Sequence, residues 1–592
     1  MSGMNRQWNR RARWARTGEG GIALVTTLLV ALAVTSIIVG AIMIGSNAQL
    51  INRYRSRYSS LDAVADAGLD RARALINGDR ALYPDTGYVA LESEASVSDA
   101  GGSVIPNVRR SLYVGPSGVT SGQYGVYGSI VSVAEDVFGN RTVRRELVYQ
   151  ESFAKYAYFT DIEPASIAFG GGDAIYGPVH TNDLLKIYSS GASFYSTVTT
   201  AKTVQGAQYG VFKQGYTENV AKVPMPQTAE LTKLQTQATA GNTSFVGTTS
   251  GGSGEATTRI EFVAIDLNGD GDATDDNEGF FRIYQSSNAG WVVGARPSDF
   301  SSNRLRNSRH CGHYHADGTF RTASNHPSSG SDNKSNAVTT GVRRCFLGGS
   351  DSLFGGFQVT DSLGRWLPWP GPVSPLLAGR PDAGYLFPLS RALNPSFKGV
   401  IYVTGKVAIS GTVRGRVTLA ASGNIVIADD VQYATGSGSG SCRDILGLFS
   451  GQDIIVADNT LNSPIQAVPS GTYATFDVTK DEFVSAVILA LNIFSVENYS
   501  SGHTTAEPCE STAWGRGCLY LTGGIIQKTR GAVGTIGSPG GTGYLKRYSY
   551  DQCAFSDPPP YYPTTGHFVR GQWYEVDPAG FDVGQYFALL AQ

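Results

Sequence analysis

From Ile22 to Asn52 the chain carries no charged side chain, and this run constrains the fold more than any other feature. The apolar core of a cleavable signal peptide is only about 7–15 residues long, whereas a bilayer span needs roughly 20. The run is long enough to remain in a membrane. Five arginines precede it, Arg6, Arg10, Arg11, Arg13 and Arg16, and they favour a cytoplasmic N-terminus. Arg53, Arg55 and Arg57 lie just beyond it and weaken that bias without reversing it.

Nothing breaks a helix after the run, because the first proline is Pro84. Leu50, Tyr54, Tyr58, Leu61, Ala65, Gly68, Ala72 and Leu75 recur at intervals of three and four, the repeat of one helix face. "ING" (Ile76–Gly78) supplies a glycine stop. The spacing therefore predicts one helix over 22–77, about 80 Å long. Its first half is greasy on all sides, and its second half lies on a folded head. Ala23, Ala31, Ala33, Gly40 and Gly45 are small enough to permit close helix contacts.

The basic leader, Gly21, the start "IALVTTLLV" (Ile22–Val30) and the later "ADAGLDRARALI" (Ala65–Ile76) together resemble type IV pilins, and PilX-type minor pilins in particular. The resemblance implies a leader over 1–21, which prepilin peptidase removes by cutting between Gly21 and Ile22. It implies a stem over 22–78, partnered first by the inner membrane and then by the stems of other pilin-like subunits. It also implies a single-pass inner-membrane protein with a periplasmic head that later reaches the cell surface or a pilus. Major pilins carry a glutamate five residues into the mature chain; here that position is Thr26, which fits a minor pilin or a tip pseudopilin.

Beyond the stem, 73 Gly and 30 Tyr against four Met, with only 16% charged residues, read as β-structure with many turns. The expected fold is mainly β with a long N-terminal α-helix. A small pilin-like β unit occupies 79–155, where "SIVSVAEDVFGNRTVRRELVYQ" (Ser129–Gln150) alternates about a turn in which Gly139 and Asn140 can take positive φ. "GVIYVTGKVAISGTVRGRVTLAASGNIVIADDV" (Gly399–Val431) is punctuated by glycines into strands of three to five residues, as rungs of a β-solenoid would be. The expected head is a solenoid over 156–435 with inserted loops at about 201–397, then C-terminal rungs and a cap over 436–592. An irregular β-sandwich is the alternative. "GPVHTN", "GLFSGQDIIV" and the late "PPPYYP" also resemble a poorly characterised extracellular domain found behind PilX-type stems, and no catalytic activity accompanies that resemblance.

Six cysteines beyond the membrane segment favour disulfides. Cys509 with Cys518 is the first choice by proximity, Cys311 with Cys345 the second, and Cys442 with Cys553 remains by elimination. "RHCGHYH" sets His310, Cys311, His313 and His315 at metal-ligand spacing, although a disulfide would consume Cys311. His180 is a lone histidine, read as structural because no nucleophile motif accompanies it. Asp173, Asp183 and Glu497 are the carboxylates a polysaccharide-cleaving solenoid could use, but nothing in the sequence joins them. The aromatics of "RWLPWPGP" (Arg365–Pro372) are expected to pack on their own domain.

The sharpest local motif is "DLNGDGDATDDNEGF" (Asp266–Phe280). Asp266, Asn268 and Asp270 alternate, and Gly271 and Asp272 follow, as in the first half of an EF-hand calcium loop. Position 12 is Asn277, so Asp276 or Glu278 is the candidate bidentate ligand. Structural Ca²⁺ is the expected cofactor, held between two strands. A net charge of −2 gives no argument for nucleic acid. The sequence thus reads as a non-enzymatic pilin-like protein in pilus assembly, at a filament tip or in adhesion. A signal-anchored adhesin and a carbohydrate-acting enzyme are the alternatives, and the surface ligand is unassigned.

Overall fold

A computed structural model describes residues 19–84, 86–119, 122–286, 364–380, 382–436, 441–457, 481–500, 507–537 and 541–591, with short backbone runs at 292, 311–313, 343–345 and 466–468. The chain is mainly β with one long N-terminal helix. It divides into two compact units. One runs to Gly118 and adds Gly128–Leu147 and Gly571–Gln592; the other comprises Val119–Tyr127 and Val148–Arg570.

In the first unit, helix α1 spans Glu19–Gly78 without interruption, about 90 Å of helix. Its apolar half satisfies its own polar groups. Thr26, Thr27, Thr35 and Ser36 each donate a hydroxyl hydrogen bond to a backbone carbonyl four residues earlier. These four hydroxyl donors are satisfied within the helix, as a hydrocarbon environment requires. After Gly78 the Asp79 carboxylate accepts from Ala81 N–H at 3.0 Å and caps a 3-10 turn, Arg80–Leu82.

Four strands follow: β1 Val89–Ser98, β2 Val104–Pro116, β3 Tyr127–Asp136 and β4 Arg141–Ser152. The β3–β4 turn differs in detail from expectation. Gly139 takes φ +82°, but Asn140 contributes through hydrogen bonds. The Asp136 carboxylate accepts from the backbone N–H groups of Phe138 and Asn140 and from Asn140 Nδ2.

The C-terminus departs from the expected cap over 436–592. Strand Thr564–Val576 is the fifth strand of this sheet, beside β4, and its last residues belong to the first unit. Helix Val583–Leu590, capped by Asp582, follows it. Alternate β3 residues point to opposite faces. Ala134 clusters with α1 residues Leu61, Val64 and Ala65, while Val131 and Val133 pack with Phe587 of the C-terminal helix. The physical reason is exposure: without the C-terminal segment, β4 would be an open edge and one apolar sheet face would be bare.

The second unit is built on parallel ladders. Ile401 pairs with Leu419, then Leu448, Ile488 and Ile525. The line continues through Tyr158, Val179 and Val198. All eight side chains lie in one buried cluster, and each of the seven aliphatics contributes about 1.5–3 kcal/mol of burial. A second ladder runs Val407, Ile425, Ile454 and Phe494. Close approach of the strands explains the punctuating glycines. Gly411 sits at φ +101°, and a Cβ there would lie 2.2 Å from the Phe262 carbonyl oxygen.

Two features depart from the expected layout. The stretch 201–397 supplies strands as well as loops: Ser244–Val246 pairs with Val400–Thr404 and Thr258–Ala264 with Val407–Val413. The stacking order also differs from chain order. Strand Cys518–Arg530 pairs on one side with Glu482–Val496 and on the other with Tyr158–Ile162. The last strands therefore lie between the middle of the chain and its beginning.

Candidate functional site

Two features dominate the first unit: an uncovered apolar helix surface and the joint that holds the helix to the sheet. Among the described residues, one helix is long and apolar enough to cross a membrane, and its most apolar window is wholly uncovered by the protein. Side chains are exposed all around it, including Ile22, Leu28, Ile37 and Ile44. Expected cleavage residues Gly21 and Ile22 fall in its first turn; residues 1–18 of the expected leader 1–21 lie outside the described residues.

The covered face begins at Leu61 and continues through Val64, Ala65, Leu69, Ala72 and Ile76. It starts later than the periodicity predicts, since Leu50, Tyr54 and Tyr58 are exposed. An i, i+3, i+4 pattern identifies a face, but only the position of the sheet decides how much is covered. Gly68 permits the closest approach. A Cβ there would lie 2.2 Å from Ser132 Oγ and 2.8 Å from both Arg110 Cδ and Leu112 Cδ2.

Charged groups frame this joint. Arg73 donates two 2.7 Å hydrogen bonds to the fully buried Glu146. Arg144 reaches Asp62 at 2.8 Å and Glu575 at 2.9 Å and lies over the Trp573 ring. Arg71 and Arg110 both bond Glu92. Burial alone would raise the Glu92 carboxyl, but hydrogen bonds from these two arginines outweigh it and hold the group below its ordinary value. The partners are separated by about 20 to more than 400 residues in the chain, so no local motif announces them.

The acidic loop lies in the second unit between strands Thr258–Ala264 and Gly279–Ser286, which pair as an antiparallel hairpin. Its oxygens face the backbone. Asp266 accepts from the N–H groups of Gly269 and Gly271, Asn268 from Asp270, Asp270 from Asp272, and Asp272 from Thr274. Glu278, almost fully buried, accepts from the N–H groups of Leu267 and Asp275. Asp276 instead bonds Arg414 at 2.8 Å. Arg414 also bonds the Asp275 carbonyl and Asp444. Among the described residues no three Asp, Glu, His or Cys side chains converge as a metal site. These turns, with Arg414 as anchor, are what close the loop.

The remaining sequence candidates separate. Disulfides join Cys442 to Cys553 and Cys509 to Cys518. The side chains of His310, Cys311, His313, His315 and Cys345 lie outside the described residues; the backbone register sets Cys311 opposite Cys345. His180 sits in a strand, bonded through Nδ1 to Thr199 and Nε2 to Asn182, with burial holding its imidazole below the ordinary value. Asp173 pairs with Lys546 and Asp183 with Lys202, whereas the Glu497 N–H bonds the Val456 carbonyl. Trp366 is buried beneath Arg282, and Trp369 packs edge-on to Phe387.

This geometry defines a β-rich protein carried on a helix of membrane-spanning length, with disulfides in its larger unit. No protein-family model and no curated protein matches the chain. Among solved structures it is similar to the competence-associated pilin ComZ from Thermus thermophilus, at 12% identity, over 87% of this chain and 97% of that one, with a TM-score of 0.24. A likeness of that size carries no argument about role.

Proposed function

We propose that the chain is a membrane-anchored, pilin-like surface subunit of the minor-pilin or pseudopilin kind. The observation that carries this reading is the single helix α1, uncovered and apolar over its first half and docked on an antiparallel sheet over its last turns. A plain anchor needs only the span. Rigid continuation into a docked stem suits a helix that leaves the bilayer and packs among the stems of other subunits. Its mechanism is partition and packing, not bond chemistry. Prepilin peptidase would cut between Gly21 and Ile22, and the disulfide-bearing unit would face outward, where oxidation is sustained. In the filament this unit would prime assembly, cap the tip or adhere. The second unit would serve as a β-solenoid platform, a reading supported by its parallel ladders.

Mass spectrometry of the mature N-terminus tests the proposal. A chain beginning at Ile22 is expected, and intact Arg-rich leader peptides in the assembled protein would overturn it in favour of an anchored adhesin. A structural calcium role for Asp266, Asn268, Asp270, Asp272 and Glu278 rests on their sequence spacing. Calorimetric titration of the chain with Ca²⁺, beside an Asp266→Ala/Asp270→Ala variant, tests it. Absent heat and unchanged melting in both would remove calcium from the account.

A further inference from the structure

The second unit contains a cleft of about 360 Å³ that no role above uses. Its lining includes Tyr188, Tyr499, Trp514, Ile536, Asp173 and Lys546. The volume lies at the lower end of the range for small-ligand pockets. Tyr188, Tyr499 and Ile536 are exposed, whereas Trp514 is almost buried.

Several independent features hold the aromatic wall in place. Trp514 ends a short hairpin, Glu507–Cys509 with Thr512–Trp514, next to the Cys509–Cys518 disulfide. Its Nε1–H donates to the Thr542 carbonyl at 3.2 Å, so the polar edge of the indole is engaged within the protein. Gly171 and Gly541 lie against the ring; a Cβ would come within 2.8 Å of it at the first and 2.5 Å at the second. The indole is fixed before any ligand arrives.

The polar lining is built by strand register. Arg547 pairs with Ala174, which sets Lys546 beside Asp173 on neighbouring parallel strands. Lys546 Nζ lies 2.7 Å from Asp173 Oδ2, which also accepts from Gly170 N–H. Among the described residues Asp173 Oδ1 has no protein partner, and Lys546 Nζ makes no hydrogen bond besides that to Asp173 Oδ2. The pair, with Asp173 buried and Lys546 partly exposed, thus presents an unused acceptor and unused donors side by side. The two charges cancel, so the cleft favours neither an anion nor a cation.

We infer that this cleft binds one pyranose unit of an uncharged glycan, with the sugar's C–H face on the aromatic wall and a vicinal diol shared between Asp173 and Lys546. A charge-assisted pair suits hydroxyls, which both donate and accept. A purely apolar ligand would leave the pair unsatisfied, and a sialylated or sulfated sugar would bring an unmatched charge. The inference rests on the second unit alone and survives failure of the filament reading.

The test uses the full chain in a detergent without a sugar headgroup. Binding to arrayed neutral, sialylated and sulfated glycans is followed by tryptophan-fluorescence titration with methyl glucoside, methyl galactoside, methyl mannoside and chitotriose. Saturable binding of a neutral sugar is expected. Tyr188→Ala, at an exposed position that leaves the core intact, should weaken it at least tenfold, as should Lys546→Met. Tyr209→Ala, an exposed tyrosine outside the lining, should leave it unchanged. Absence of any neutral-glycan binding, preference for charged glycans, or undiminished affinity in a folded Tyr188→Ala variant would each overturn the inference.

Discussion

Replacing a mid-helix glycine by alanine ordinarily stabilises a helix by about 1 kcal/mol. At Gly68 the sign should reverse. The added methyl would sit 2.2 Å from Ser132 Oγ and 2.8 Å from Arg110 Cδ and Leu112 Cδ2. Arg110 cannot withdraw freely, because its guanidinium is bonded to Glu92. Overpacking of this kind costs about 1–3 kcal/mol. Taking about 2–3 for so short a contact and subtracting the propensity gain leaves a net loss of about 1–2 kcal/mol. Hydrogen–deuterium exchange of the 61–76 segment in the intact chain reads this directly as local opening. Exchange should rise roughly 5–30-fold in Gly68→Ala, by the usual conversion of free energy to populations. Ser132→Ala removes the nearest atom, so the double variant should recover part of the loss, a coupling a mutant cycle isolates. Gly45→Ala, with nothing within 4 Å of the new methyl, should not raise exchange anywhere in 61–76. If Gly68→Ala slows exchange in 61–76, or if Ser132→Ala gives no coupling, the close-packed joint is wrong.

Three further outcomes are expected. Arg414→Met strips the buried Asp444 of its cation and should lower stability by about 3 kcal/mol, the lower end for a broken buried pair because Gly415 and Thr435 still donate to Asp444; Asp276→Ala, at the exposed end of the same network, should change melting little, and equal losses would contradict the anchoring geometry. Burial, reinforced by neighbouring Asp481, raises the Asp430 carboxyl from 3.8 to about 6; the folded state then binds a proton that the unfolded state has lost between those values, so stability falls as pH rises through that window and the penalty is complete above about pH 6. Asp430→Asn should therefore stabilise the protein at pH 7.5 by up to about 3 kcal/mol and have no such effect below pH 3.8, and a gain that persists at low pH would refute the linkage. Non-reducing peptide maps should recover Cys442–Cys553 and Cys509–Cys518, and loss of either bridge should cost about 2–4 kcal/mol in thermal melting.

The site was legible only where its determinants are local. The helix, its apolar half and the stripe that docks follow from a run of uncharged residues and a repeat of three and four, but the start of the covered face at Leu61 was set by the sheet. The strands between Val400 and Tyr433 follow from alternating Val and Ile between glycines. Two cysteine pairs followed from proximity and elimination. By contrast, Asp276 carries an acidic-loop pattern in the sequence yet serves Arg414, 138 residues away. Asp173 pairs with a lysine 373 residues away.

What the sequence alone determined is therefore the helix and the abundance of short β-strands, because both depend on side chains within a few residues of one another. Tertiary structure decided which strands are neighbours. Every Val- and Ile-rich strand offers much the same parallel edge, so local pattern cannot place Cys518–Arg530 between Glu482–Val496 and Tyr158–Ile162. Nor can it send the C-terminal strand back to β4. Those choices depend on which non-local pairings together bury the ladder residues and close the exposed sheet edge, and that energy exists only once the whole chain is assembled.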